Sequence, residues 1–319
     1  MKIEEKYCIS HDNKINQVVF HPDGHILASC GYDDLIKLWD VKTGEKIRAF
    51  KCGDSVLDIA FSPDGNILAS GEYQRIILRK VDTGEILSRL NLNELTLHSH
   101  SYVRAVAFSP NGYILAGCDD SNRIGWFNVK TGVLIKALKH KDDELDYEIN
   151  DVEFSPNGKI LASCAEDQTV KLWEVNTGKL IRTLRSHTED VYDIAFSPNG
   201  LILASGSRDD TIKLWDVETG KTIRTLKSHD YSVTCVAFHP NGKILASGSC
   251  LNYRTKLWDV ETGKEICTLN NHLREVFSVN FSPDGQLLAS GETIWHGDLP
   301  KMSNIEIVRL IKNPKKSQS

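Results

Sequence analysis

Residues 196–229 read FSPNGLILASGSRDDTIKLWDVETGKTIRTLKSH. Three apolar, β-rich runs, 201–205, 211–217 and 222–226, are separated by Ser197-Pro198-Asn199-Gly200, Ser207-Arg208-Asp209-Asp210 and Glu218-Thr219-Gly220-Lys221. Each run has strand length. Pro presets φ and Gly accepts positive φ, so these breaks are tight turns. The next copy opens at Phe238 in nearly the same text. Self-similarity at a fixed period of this size signals stacked structural units that bury one another's faces.

Working outward, Phe-x-Pro-Asp/Asn-Gly begins at Phe20, Phe61, Phe108, Phe154, Phe196, Phe238 and Phe281, spaced by 41, 47, 46, 42, 42 and 43 residues. A Thr-Gly turn recurs at Gly44, Gly84, Gly132, Gly178, Gly220 and Gly263, and Trp is followed by an acidic residue at Trp39, Trp173, Trp215 and Trp258. Each repeat thus holds four strands, a to d, the fifth copy adding strand a over 191–196. No helical period survives beyond a turn.

On these residues, together with the Ser/Asn-His that precedes strand a, the chain resembles the WD40 repeat family over nearly all its length. Copies five and six look most like those of bacterial, especially cyanobacterial, members. The resemblance implies an all-β, seven-bladed β-propeller of four-stranded antiparallel blades around a central channel. Closure follows from the ends. Copy seven has strand a near 276–281, b near 287–290 and c near 304–310, then only IKNPKKSQS. His11 stands nine residues before Phe20, as His187 does before Phe196. Residues 3–9 are therefore expected to supply the missing outer strand of blade seven, pairing with 304–310. The propeller is expected to span 1–312, with 313–319 a disordered tail.

His187, Ser205, Asp209 and Trp215 invite a hydrolase reading. The family resemblance assigns them instead to a buried hydrogen-bond network, repeated at His11, Ser29, Asp33 and Trp39. Its recurrence argues against an active site, which is normally assembled once. Copy four keeps Ser163, Asp167 and Trp173 but has Leu145 at the His position; copy six keeps His229, Ser247 and Trp258 but has Asn252 for Asp. Copies two, three and seven replace the Trp pair with Arg79-Lys80, Phe127-Asn128 and Val308-Arg309. Those blades are expected to lack a polar network and to be the weaker part of the ring.

Surplus length falls in 91–101, 140–148 and 292–303, with one extra residue in the b–c loop of copy six. These are d–a and b–c loops, which share one rim of such a ring, here called the top. Loops carry binding more often than scaffolds do. By register with Asp190, Tyr192 and Arg208, the resemblance points to Lys14, Asn16 and Tyr32, to Ser55, Leu57 and Glu72, to Tyr102, Arg104 and Asp120, to Glu148, Asn150 and Glu166, to Ser232 and Thr234, and to Glu275 and Phe277 on that rim, with Trp295 in the long loop. Tyr, Trp and Arg are common interface anchors, and the acidic residues among them favour a partner with basic character.

Composition bounds the rest. Among 319 residues, 25% are charged and the net charge is −5, no footprint for nucleic acid or an anionic membrane. The N-terminus has no apolar signal region, and no run has the length of a membrane span. Eight cysteines without a CxxC pair read as reduced thiols of a cytoplasmic protein. No GxSxG, Walker, HExxH or EF-hand motif occurs. The expected function is a non-catalytic scaffold binding a protein or peptide on the top face, without cofactor or metal, as a monomeric propeller within a larger complex. The rival is a metal-dependent hydrolase or lactonase centred on the channel, built on Asp120, Glu148, Asn150 and Asp190. A nucleic-acid platform is a third, disfavoured by the charge.

Overall fold

The computed structural model describes residues 2–11, 13–92, 101–140, 147–227, 229–251, 253–269, 275–293 and 303–311. Twenty-eight strands form seven four-stranded antiparallel sheets, and strand a of each packs beside strand a of the next. In blade five the strands are a Val191–Phe196, b Ile202–Ser207, c Thr211–Asp216 and d Thr222–Lys227.

Burial explains the composition of each strand. Strand b is buried on both faces and is small and apolar, as in Ile202–Ser207. In blade five, strand d is exposed except for Leu226, which permits its Lys, Arg and Thr. The core lies between blades. One cluster joins Leu172 and Leu184 of blade four to Ile194, Phe196, Leu203 and Trp215 of blade five. Full burial of each such side chain contributes about 1.5–3 kcal/mol, so no blade is stable without its neighbours.

The ring closes as the chain ends imply. Lys2–His11 pairs antiparallel with Ser303–Ile311, with Ile3 opposite Leu310, Ile9 opposite Ile305 and His11 opposite Ser303. Ile9, Ile305 and Ile307 then join the core of blade one. Residues 312–319, and with them the expected tail, lie outside the described residues.

Two sets of repeated backbone bonds define the rims. On one side, the b–c loop donates to the residue before strand a: Tyr32 to Lys14 (3.2 Å), Asp120 to Tyr102 (3.3 Å), Glu166 to Glu148 (3.1 Å), Arg208 to Asp190 (2.9 Å) and Cys250 to Ser232 (3.2 Å). On the other, the c–d turn donates to the a–b turn, as Val217 does to Leu201 (3.0 Å). The lengthened segments enter and leave on the first, top rim; their interiors 93–100, 141–146 and 294–302 lie outside the described residues.

The polar networks depart from expectation. In blade five the Trp215 indole N–H donates to Ser205 Oγ (2.8 Å), and the His187 ring spans Ser205 (2.7 Å) and Asp209 (2.8 Å). With the proton on Nδ1, every member is satisfied: Ser205 donates to Nε2 and Nδ1–H donates to the carboxylate. Blade one repeats the Trp39–Ser29 bond (2.8 Å) but is looser, with His11 4.0 Å from Asp33 and Lys37 at 2.8 Å from that carboxylate. In blade four the histidine is present after all. His140 Nδ1 meets Ser163 Oγ at 2.8 Å and Nε2 lies 3.4 Å from Asp167. Leu145 lies outside the described residues; the insertion moved the histidine five positions upstream in sequence but not in space. In blade six Trp258 and His229 both reach Ser247 (2.9 and 2.8 Å), while Asn252 lies outside the described residues.

The blades without Trp-Asp have networks of their own, contrary to expectation. In blade two Arg79 takes the Trp position and donates to Ser70 (2.6 Å) and Glu72 (2.7 Å), all buried. Glu72 is therefore not a rim residue: at 3% exposure it is the counter-charge that allows a guanidinium in the blade. In blade three Arg123 bonds Asp119 (2.8 Å) and Ser101 (3.1 Å), leaving Phe127 purely apolar. In blade seven Asn304 donates to Glu292 (2.8 Å).

Candidate functional site

The channel mouth is built by a backbone irregularity. In strand a of blade five Val191 pairs with Ser207 and Asp193 with Gly206, so Tyr192 has no partner across the sheet. The same β-bulge leaves Asn16, Arg104, Asn150, Thr234 and Phe277 unopposed in blades one, three, four, six and seven. A bulge re-aims its extra side chain, and all six residues, with Leu57 of blade two, line the channel. Register alone pointed to all seven of these positions; the bulge is what puts six of them there.

Several bulged residues clasp the next blade. Asn16 donates to the Val56 carbonyl (2.9 Å), Asn150 to that of Val191 (2.9 Å) and Thr234 to that of Val276. Arg104 bridges blades three and four, pairing with Glu148 (2.6 Å) and donating to Asn150 (3.0 Å). Tyr102 rests against Tyr73, ring centroids 5.0 Å apart, and its amide donates to Asp120 (3.1 Å). Arg208 reaches Asp190 (3.2 Å) while keeping 58% of its side chain exposed. Tyr32 is 47% exposed, with the Lys14 ammonium 5.5 Å from its ring centre. Glu166 sits among Glu148 and Asp190; burial first, then these two neighbours, raise its carboxyl above the ordinary value. Burial and Asp190 likewise raise the Tyr192 hydroxyl. The structure thus sets Arg104, Tyr192 and Phe277 in the channel wall, pairs Glu148 with Arg104 and Asp190 with Arg208, and places Tyr32 and Tyr102 on the same rim. Trp295 lies outside the described residues.

The four residues of the rival enzyme reading are engaged in these pairs: Asp120 with an amide, Glu148 and Asn150 with Arg104, and Asp190 with Arg208. Among the described residues no group of three or more His, Cys, Asp or Glu is arranged to hold a metal ion, and no helix is long and apolar enough to cross a membrane. The eight cysteines are free thiols, five of them buried.

Deeper in the channel lies a set of carboxyls that the sequence reading passed over. Asp58, Asp151 and Asp193 each stand three residues before the repeat Phe. Each accepts a strand-a amide from another blade: Asp58 from Val106 (2.7 Å), Asp151 from Ile194 (3.2 Å) and Asp193 from Val236 (2.5 Å). Glu153 does the same for Phe196 (2.5 Å). Burial, the largest cause, raises all four; Asp58 and Asp193 are pushed up to about 7, Asp151 and Glu153 well above the usual range. Their shared register was the available signal.

Comparison with known proteins agrees with this architecture. The family profile "WD domain, G-beta repeat" matches residues 4–40, 44–78, 92–124, 132–174, 178–216, 220–259 and 263–296. The chain is 36% identical over 140 residues to nuclear distribution protein nudF 1 of Talaromyces marneffei, covering 43% of this chain and 30% of that protein. It is 38% identical over 148 residues to nuclear distribution protein PAC1-2 of Uncinocarpus reesii, covering 41% and 30%. A shorter match, 45% over 40 residues (12% of this chain and 8% of that protein), is to ribosome assembly protein 4 of Chaetomium thermophilum. The matched stretch spans under a third of each relative. With seven repeats matched across most of its length and seven blades closed into a ring, the chain belongs to the WD40 repeat family.

Proposed function

We propose that this protein is a non-catalytic platform that binds a protein or peptide partner on the top face of its propeller. It acts in the cytoplasm as a monomeric propeller within a larger complex, with Tyr32, Tyr102, Arg104, Glu148, Asp190, Tyr192, Arg208, Phe277 and Trp295 as partner-facing residues. The observation that carries this reading is the bulge of strand a repeated in six of the seven blades, which turns one side chain of each into the channel while neighbouring blades clasp one another behind it. A surface so fixed binds with little backbone change. Loops that vary in length sit on the same rim, where scaffold folds place binding. The names of the relatives, nuclear distribution and ribosome assembly, describe proteins whose work is assembly and positioning, and they favour a scaffold over a catalyst.

The test is affinity capture with wild-type protein and a Tyr102→Ala, Arg104→Ala, Tyr192→Ala triple variant. Specific prey held by the wild type and lost by the variant supports the reading; identical capture by both overturns it. Metal analysis of the purified protein addresses the rival: a stoichiometric, tightly bound divalent ion would favour a channel-centred hydrolase.

A further inference from the structure

The top rim is uneven. Around blades three to five the large side chains already have partners within the fold: Arg104 with Glu148 and Asn150, Tyr102 with Tyr73, and Arg208 with Asp190. Blade six differs. Tyr231 of its d–a loop is 44% exposed, and Leu251 and Tyr253 of its b–c loop are 48% and 38% exposed. The Cys250 amide donates to the Ser232 carbonyl (3.2 Å), tying this b–c loop to the d–a loop that carries Tyr231.

The backbone beneath these residues is strained. Leu251 and Tyr253 hold φ of +54° and +56°, the left-handed region that costs bulky L-residues about 1–2 kcal/mol each. In other b–c loops a single left-handed position is filled by Asp34, Gln74, Asn122, Gln168 or Asp210, all polar. Blade six has two, both large, one aliphatic and one aromatic, and displays them to solvent. Strain of this kind persists at binding sites, and the fold does not bury the side chains it presents.

Charge identifies the partner. Asp210, from the b–c loop of blade five, and Asp230 line one surface cleft, with Asp209, Lys213 and Lys227 also in its wall; burial, then Asp209 and Asp230, raise the Asp210 carboxyl above the ordinary value. Asp230 immediately precedes Tyr231 in the chain, so the acidic pair borders the exposed tyrosine. A lysine or arginine set between Asp210 and Asp230 would relieve their repulsion.

We propose that Tyr231, Leu251 and Tyr253, with Asp210 and Asp230, form a docking surface for a partner segment carrying Lys or Arg next to a large apolar residue. This rests on the top-face reading and deepens it: the anchoring contacts lie off-centre, over blades five and six.

The probe is an array of immobilised dodecapeptides combining Lys/Arg with Leu, Phe or Trp in all registers, beside the same peptides with Asp/Glu for Lys/Arg. The variant is Leu251→Asn with Tyr253→Asn, since Asn tolerates left-handed φ. The full chain is expected to bind peptides of the basic set, more weakly as salt rises. The Asn variant should lose at least about tenfold in affinity with its melting temperature unchanged or raised, which a structural role would not produce. Asp210→Asn with Asp230→Asn should flatten the salt dependence, and Tyr113→Ala with Leu201→Ala, exposed on the opposite rim, should leave peptide binding as in the wild type. Equal binding of the acidic set, no binding of the basic set, or equal binding by the Asn variant overturns the proposal. If the Asn variant binds normally while the central triple variant loses the peptides, the top-face reading stands and the off-centre site falls.

Discussion

Replacing Asp151 with Asn tests how the seven inner strands are held. The Asp151 carboxyl accepts the amides of Ile194 (3.2 Å) and Val152 (2.8 Å) and shares a hydrogen bond with Asp193. Burial first, and then Asp193, hold its pKa well above 3.8. The folded protein therefore keeps protons that the unfolded chain releases near pH 3.8. Stability contributed by these groups is fully present below about pH 4, falls as pH rises, and for Asp58 and Asp193 is gone above about pH 7. Each retained proton lowers stability by about 1.4 kcal/mol per pH unit, which over about three units sets a ceiling of about 4 kcal/mol per carboxyl. Access of water from the channel and the mutual coupling of the groups reduce that ceiling. Asp167 works in the opposite sense: burial, which would raise it, is outweighed by His140, Thr169 and Lys171, and it is held down to about 2, so its contribution is lost only in stronger acid. A carboxamide at 151 is neutral at every pH, and its N–H can replace the shared proton toward Asp193 while its oxygen keeps an amide partner. Urea unfolding between about pH 5 and pH 8 should show wild-type stability falling with pH. Asp151→Asn should fall less steeply, by on the order of 1 kcal/mol per pH unit, and become the more stable protein at the alkaline end. Parallel profiles, or a wild type more stable at pH 8 than at pH 5, would refute the reasoning.

Other perturbations test the blades themselves. Ser205→Ala removes the hydroxyl shared by Trp215 and His187; leaving two buried polar groups short of a partner should cost about 1–3 kcal/mol in chemical denaturation. Arg79→Ala strands Glu72 in blade two and should cost about 3–5 kcal/mol, most of it recovered when Glu72 is also replaced by Met. Deleting residues 2–11 removes the strand that pairs with Ser303–Ile311 and should abolish cooperative thermal unfolding; adding those residues back as a peptide should restore part of it.

The architecture was legible because it is written seven times. Phe-x-Pro-Asp/Asn-Gly and Thr-Gly fix turns through backbone preferences that neighbours do not alter, and the spacing of His11 from Phe20 revealed which strand closes the ring. The networks were harder to read, since they depend on convergence in space. His140 stands at the wrong spacing because inserted residues separate it from strand a. Arg79 and Phe127 look like lost consensus until Glu72 is seen beside the one and the Arg123–Asp119 pair in the blade of the other. The rim residues Arg104, Tyr192 and Phe277 were identified by register, but not the bulge that turns them inward. Asp58, Asp151 and Asp193 shared a register that was visible, yet their meaning depends on the closed ring that sets them around one channel. The left-handed φ of Leu251 and Tyr253 leaves no trace in residue type, for their side chains argue against it.

The central claim is that the top rim engages a partner while the opposite rim serves the ring. Amide hydrogen exchange of the protein, free and in complex with prey captured by the wild type, tests it most directly. The account predicts slowed exchange at 14–17, 102–104, 148–150, 190–192, 208–210 and 230–234, with the a–b and c–d turns, such as 197–201 and 217–221, unchanged. Protection concentrated in those turns, with the top-rim segments unaffected, would contradict it.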